Sequence, residues 1–157
     1  ANNHKCLLAM KNKAKKMNYT TNVVHSLNSD VKVATKKIIK TLESSKKQCL
    51  IFGGETTVNV RGKGKGGRSQ ELVLRILQEL HNSNHNQFII SSIGTDGIDG
   101  NTKFAGAIAS TRNVSINKKY LKNNDSFNYF KKFGNLIYIG PTHTNVNDIG
   151  LIIRQTL

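Results

Sequence analysis

At 157 residues the chain has the size of one domain around one core, since domains cluster near about 100–150 residues. Its longest apolar runs, Phe88 to Ile93 and Leu136 to Ile139, fall far short of the about 20 residues that a bilayer-spanning helix needs, so no membrane partner is expected. The formal net charge of +15 would suit a nucleic-acid partner if it were clustered, but the lysines are spread over 11–16, 36–47, 63–65, 118–122 and 131–132 amid many Asn and Ile, and they read as solvated faces.

Taken in chain order, Leu7, Leu8, Met10, Ala14 and Met17 recur at helical spacing and predict an amphipathic helix over 3–18. Asn22 to Leu27 reads as a short strand. Asp30 is a good N-cap for a helix running to about Ser44, with Val33, Ile38, Ile39 and Leu42 inward. Cys49 to Phe52 forms a short buried strand bounded by Gly53 and Gly54, and Thr56 to Val60 alternates as a second strand. Cys6 and Cys49 lie far apart without a CxxC spacing or a histidine cluster, so both read as reduced, buried thiols of a cytoplasmic protein, not as zinc ligands or a disulfide. After the glycine- and lysine-rich stretch 62–67, Leu72, Val73, Ile76, Leu77 and Leu80 mark a helix over 70–80.

A polar connector over 81–86 leads to a strand over 87–93 that stops at Gly94. The small residues of 105–110 predict the start of a helix, and 118–123 and 126–133 predict two more, the second capped by Asp125 or Ser126. Strands are expected at 135–139 and 151–154. This alternation predicts an α/β fold with a mixed, mostly parallel sheet flanked by helices on both faces. Ligands in such sheets bind beyond the carboxyl ends of strands, and three loops rich in Gly, Thr, Asp and Asn follow strand ends here.

In the first loop, GGETTVNVRGKGKGGRSQE, residues Gly62 to Ser69 fit the phosphate-loop spacing GxxxxGK[ST], except that Arg68 stands in the lysine position. Glycines can turn backbone N–H groups towards an anion at a helix N-terminus, and the fork of Arg68 can grip a phosphate or a carboxylate. The alternative is a plain loop with solvated lysines. In the second loop, GTDGIDG, Asp96 and Asp99 can approach one Mg2+ or orient a substrate hydroxyl; alternatively they brace tight turns. The third loop, GPTHTNVND, offers hydroxyls and amides, with Asp148 either capping the following turn or joining a metal site. His143 is a candidate general base, but a lone loop histidine more often lies at the surface.

The ordered motifs GGETTVNVRGKGKGGRSQE, GTDGIDG, NDSF and GPTHTNVND resemble the C-terminal MOFRL domain of the ATP-dependent glycerate kinases, over about 49–148. The resemblance implies that 1–157 is a single domain of a longer kinase, consistent with a chain that opens at Ala1 and not at methionine. It implies transfer of the ATP γ-phosphoryl group to D-glycerate to give 2-phosphoglycerate, with Mg2+, in a cleft whose other wall is an N-terminal domain of the same parent chain. It also implies that the fragment alone is inactive. The alternatives are a standalone nucleotide- or anion-binding module, or a homologue named hydroxypyruvate reductase, for which no GxGxxG turn speaks. A homodimer stays open.

Carried over by motif, Arg68, Asp96 and Asn145 are the expected catalytic residues. Gly53, Gly54, Glu55, Thr56, Gly66, Gly67, Ser69, Thr95, Gly97, Thr142 and Thr144 are expected to bind substrate or phosphate, and Asp96 and Asp99 the metal. Departures from the family pattern are Ser69 for the Asn of GGRNQE, Asn101 and Lys103 for Pro and Asp, and His143 for Gly.

Overall fold

Burial alternates along the central strands. In β3 (Phe88–Gly94) Phe88, Ile90 and Ser92 are buried while Ile89, Ser91 and Ile93 are half-buried, and β6 (Asp148–Arg154) repeats the pattern with Asp148, Gly150 and Ile152 inward. The computed structural model describes residues 2–83, 85, 87–112, 114–133 and 135–155; Asn84 and Asn86 of the connector predicted over 81–86 lie outside them. The remaining strands are β1 (Thr21–Val24), β2 (Cys49–Gly54), β4 (Gly106–Ser110) and β5 (Leu136–Ile137), and the sheet order is β1-β2-β6-β3-β4-β5.

The α/β class holds, but the expectation of a mostly parallel sheet does not: only β1–β2 pair in parallel, and the other four pairings are antiparallel. Parallel neighbours need a crossover of about a dozen residues or more. The link from β3 to β4 is instead spent on tight turns, and β6 then inserts between β2 and β3 in the opposite sense. As a result β1, β2, β3 and β5 run one way and β4 and β6 the other. The carboxyl ends of four strands still meet the start of β6 at one rim.

Helices α2 (Val31–Ser44), α3 (Arg68–Asn82) and α5 (Ser126–Phe133) share a core with the inward residues Leu50, Phe52, Phe88, Ile90 and Ile152. Helix α1 (Asn3–Lys16) covers part of the other face, where Leu7, Met10 and Ala14 pack on Cys49, Ile51, Leu151 and Ile153. Asp30 caps α2 as expected, its side chain accepting from the Lys32 N–H at 2.8 Å. On that helix Ala34 and Thr35 face inward and Val33 is exposed, contrary to the inward place expected for Val33. Of the two cysteines, Cys49 is buried and Cys6 half-buried, and both are free. No helix among the described residues is long and apolar enough to cross a membrane.

Three further elements differ from expectation. The stretch 105–110 is strand β4, not a helix start; Ala105, Ala107 and Ala109 alternate inward and are small because α3 crosses directly over them. The strand expected over 56–60 does not form: after Gly54 the chain leaves the sheet, and only Thr57 bridges, to Asp30. Strand β1 ends at Val24 because Ser26 takes a left-handed conformation (φ 56°). A short helix, α4 (Lys119–Lys122), precedes α5.

Candidate functional site

The three loops meet at the rim where β2, β3 and β5 end and β6 begins. Thr95 Oγ1 donates to the Asn147 carbonyl at 2.8 Å and accepts from the Val146 N–H at 2.8 Å. Thr142 Oγ1 donates to the Thr95 carbonyl at 2.5 Å, and its N–H reaches the Asp96 carbonyl at 3.2 Å. The second and third loops are thus stitched together. Gly97 (φ 91°) lies so close to the Gly140 carbonyl that a side chain there would be strained twice over, by conformation and by contact.

The glycine-rich loop is closed from within. From 61 to 66 every backbone N–H has a partner in the protein. Those of Arg61 and Gly62 donate to Asn124 Oδ1 at 2.8 and 3.0 Å, Lys63 to Asn123 Oδ1 at 3.0 Å and Gly64 to the Asn123 carbonyl at 2.8 Å. Lys65 donates to Asp125 Oδ1 at 2.9 Å and Gly66 to Asn101 Oδ1 at 3.0 Å. Asn124 holds this clamp in a left-handed conformation (φ 51°) and donates from Nδ2 to Glu71 Oε2 at 3.0 Å. An anion at this loop would therefore find no unspent N–H donor from 61 to 66, which leaves the start of α3 as the place where a phosphate cradle could form.

The start of α3 is partly filled. The N–H groups of Ser69 and Gln70 donate to Asp99 Oδ1 and Oδ2 at 3.0 and 2.8 Å, so a buried carboxylate occupies the end of the helix dipole. Burial pushes Asp99 up to about 7 against the pull of those two N–H donors, with the nearby charge of Asp148 adding to the rise. Each oxygen of Asp99 thereby accepts one N–H of the helix start. Asp99 thus caps the helix, and among the described residues no three His, Cys, Asp or Glu side chains are grouped to hold a metal ion.

Arg68 begins α3 and turns its guanidinium to the rim. Its Nε donates to Asp148 Oδ2 at 2.7 Å, while Nη1 lies 3.7 Å from Glu55 on the more exposed side. Burial works against the charge on Arg68, but the hydrogen bond and charge of Asp148, with Glu55 and Asp99 behind it, raise its pKa further above the ordinary value. Asp148 is 4 % exposed, and burial pushes it up to about 6 although Arg68 pulls the other way.

A cleft of about 380 Å³ opens beside this pair, lined among others by Arg68, Asp96, Asp99, Gly66, Gly67 and Asn101. Asp96 is half-buried, and its Oδ1 accepts from the Ile98 N–H at 3.1 Å.

The other expected residues are placed differently. Ser69 is fully buried behind the cleft with its Oγ unpartnered, and Thr56 is buried with Oγ1 unpartnered. Gly53 and Gly54 belong to β2, and Glu55 stands at the edge of the rim. Thr95, Gly97, Thr142 and Thr144 build the loops and do not line the cleft. Asn145 is exposed, accepts from the Asn147 N–H at 2.8 Å and also lies outside the cleft lining.

The departures from the family pattern have local consequences. Asn101 supplies the acceptor for Gly66, and His143 adopts φ 54°, a conformation that suits glycine better. Sequence reasoning missed the clamp formed by Asn123, Asn124 and Asp125, although NDSF was among the recognised motifs. It also left Asp148 without a partner.

Comparison with known proteins agrees with this architecture. Residues 48–148 match the MOFRL family. The chain is 49% identical over 117 residues to the D-glycerate 2-kinase of Thermotoga maritima, covering 69% of this chain and 28% of that protein. It is 44% identical over 123 residues to the glycerate 2-kinase of Picrophilus torridus, covering 76% and 29%. A crystal structure of glycerate kinase from Thermotoga maritima superposes with a TM-score of 0.85 at 35% identity, over 98% of this chain and 41% of that one. The chain thus spans under a third of the length of these two curated relatives.

Proposed function

The chain belongs to the MOFRL family, and from that premise we propose that it is the C-terminal part of a glycerate kinase, with the rim around Arg68 as its share of the reaction site. The observation that carries this reading is the Arg68 guanidinium, fixed through Nε by Asp148 and opening on a cleft that also holds Asp96.

Phosphoryl transfer depends mainly on positioning and on neutralising charge spread over the phosphoryl oxygens. With Nε engaged, the Nη groups of Arg68 are left to grip phosphoryl oxygens or the glycerate carboxylate. The glycerate hydroxyl oxygen attacks the γ-phosphorus of ATP as the bond to the β–γ bridging oxygen breaks, releasing ADP. Asp96 orients that hydroxyl and accepts its proton.

Mg2+ would neutralise charge on the phosphate chain when bound. It commonly keeps water and takes one or two carboxylates, and Asp96 and Asp99 are the two aspartates that line the cleft beside Arg68. The other wall of the cleft is assigned to a preceding domain of the same polypeptide.

The test is glycerate-dependent ADP release by the full-length protein carrying this domain. Arg68→Ala is expected to lower kcat about 10²–10³-fold, the scale of losing a donor to developing negative charge. An unchanged rate would contradict the assignment.

A further inference from the structure

Resting on that reading, we infer that Asp148 is the positioning residue of the reaction: its buried carboxylate fixes the direction of Arg68 without touching substrate. Asp148 is the first residue of β6 and is paired on both flanks, with Gly54 of β2 and Gly94 of β3. Both neighbours are glycines packed against backbone, since a side chain at Gly54 would meet the Leu27 backbone and one at Gly94 the Ile98 carbonyl. Its backbone is fixed as well, since Asn3 Nδ2 donates to the Asp148 carbonyl at 3.0 Å and to that of Val146 at 2.7 Å. The platform thus joins α1, β2, β3 and β6.

Stability does not account for the pair. Asp148 Oδ1 is buried without a hydrogen-bond partner, and a buried ion pair whose lone pairs are incompletely satisfied contributes little to folding, because desolvation offsets its attraction. What the contact supplies is direction. An arginine held by the edge carrying Nε keeps its Nη groups for an oxyanion, and the alternative partner, Glu55, is more than half exposed and 3.7 Å away. Lysine has three donors but no planar fork, so it could not be fixed through one edge while presenting a rigid second edge to an oxyanion.

The experiment is a double-mutant cycle in the full-length protein, reading kcat and KM for glycerate and ATP, with unfolding midpoints measured alongside. Asp148→Asn should lower kcat about 100-fold, the cost of a misplaced reacting group. Asp148→Glu, which keeps the charge, should recover part of that loss. In an Arg68→Lys background Asp148→Asn should cost less than about 3-fold further, because coupled residues are not additive.

Equal effects of Asp148→Asn in both backgrounds would mean that Asp148 acts independently of Arg68 and would overturn this inference alone. An unchanged rate in Arg68→Lys and Arg68→Ala would overturn the functional reading and this inference together. A second readout needs no turnover: the Arg68 Nε–H should give a slowly exchanging side-chain NMR signal that Asp148→Asn abolishes. A fast-exchanging signal in the unmutated protein would overturn the contact.

Discussion

The glycine-rich loop 61–66 and Arg68 are neighbours in sequence and look equally suited to anions, yet their donors go to different places. In the loop the backbone N–H groups are spent on Asn123, Asn124, Asp125 and Asn101, and those of Ser69 and Gln70 in α3 on Asp99. At the corner Asp148 fixes Nε of an arginine that lines a cleft, and Nη1 has only the more distant Glu55 beside it. A phosphate-loop spacing therefore records only that a turn can present donors; whether any remain for a ligand depends on residues far away in the chain.

The largest stability effect that would sharpen this contrast is at Asp99. Asp99→Ala leaves the Ser69 and Gln70 N–H groups buried without acceptors and should cost about 2–4 kcal/mol, read from denaturant unfolding. A loss under about 0.5 kcal/mol would mean that α3 is not capped this way.

The next effect is one of pH. Asp148 sits at about 6 in the folded protein, above its ordinary 3.8, so the fold takes up a proton that the unfolded chain releases. Its contribution to stability is full below pH 3.8 and is lost as pH rises through 6. The stability difference between the unmutated protein and Asp148→Asn should therefore favour the unmutated protein by about 2 kcal/mol more at pH 4.5 than at pH 7.5. Denaturant titrations at the two pH values measure it, and a difference of the opposite sign breaks the account.

Asn124→Ala should cost about 1–2 kcal/mol and speed amide exchange at Arg61 and Gly62, whose acceptor it removes. Smallest of all, Lys63→Ala should change stability by less than about 0.5 kcal/mol, because its side chain is solvated while its N–H remains bound.

Much of the framework was legible in local pattern. Asp30 before Val31 marked the start of α2, the apolar spacing from Leu72 to Leu80 marked α3, and Ser126 to Phe133 is α5 as expected. Strand β4 was legible in principle, through the period-two spacing of Ala105, Ala107 and Ala109, but alanine also favours helices and carries little strand signal. Pairing sense was not legible, because the insertion of β6 between β2 and β3 depends on contacts across the whole chain.

The site shows the same division. Arg68 and Asp96 could be picked out by residue type and motif, and the structure brings both to one cleft. The partnership of Arg68 with Asp148 spans 80 residues, and the amide clamp on the glycine loop spans about 60, so neither leaves a local trace.

The most direct test sets the two regions side by side. ADP formation from ATP and glycerate would be followed in the full-length protein for Arg68→Ala and for the paired change Lys63→Ala with Lys65→Ala. Arg68→Ala should lower the rate about 10²–10³-fold while the lysine pair costs less than about 3-fold. A severe loss in the lysine pair with Arg68→Ala near normal would place the anion on the glycine loop and contradict the account.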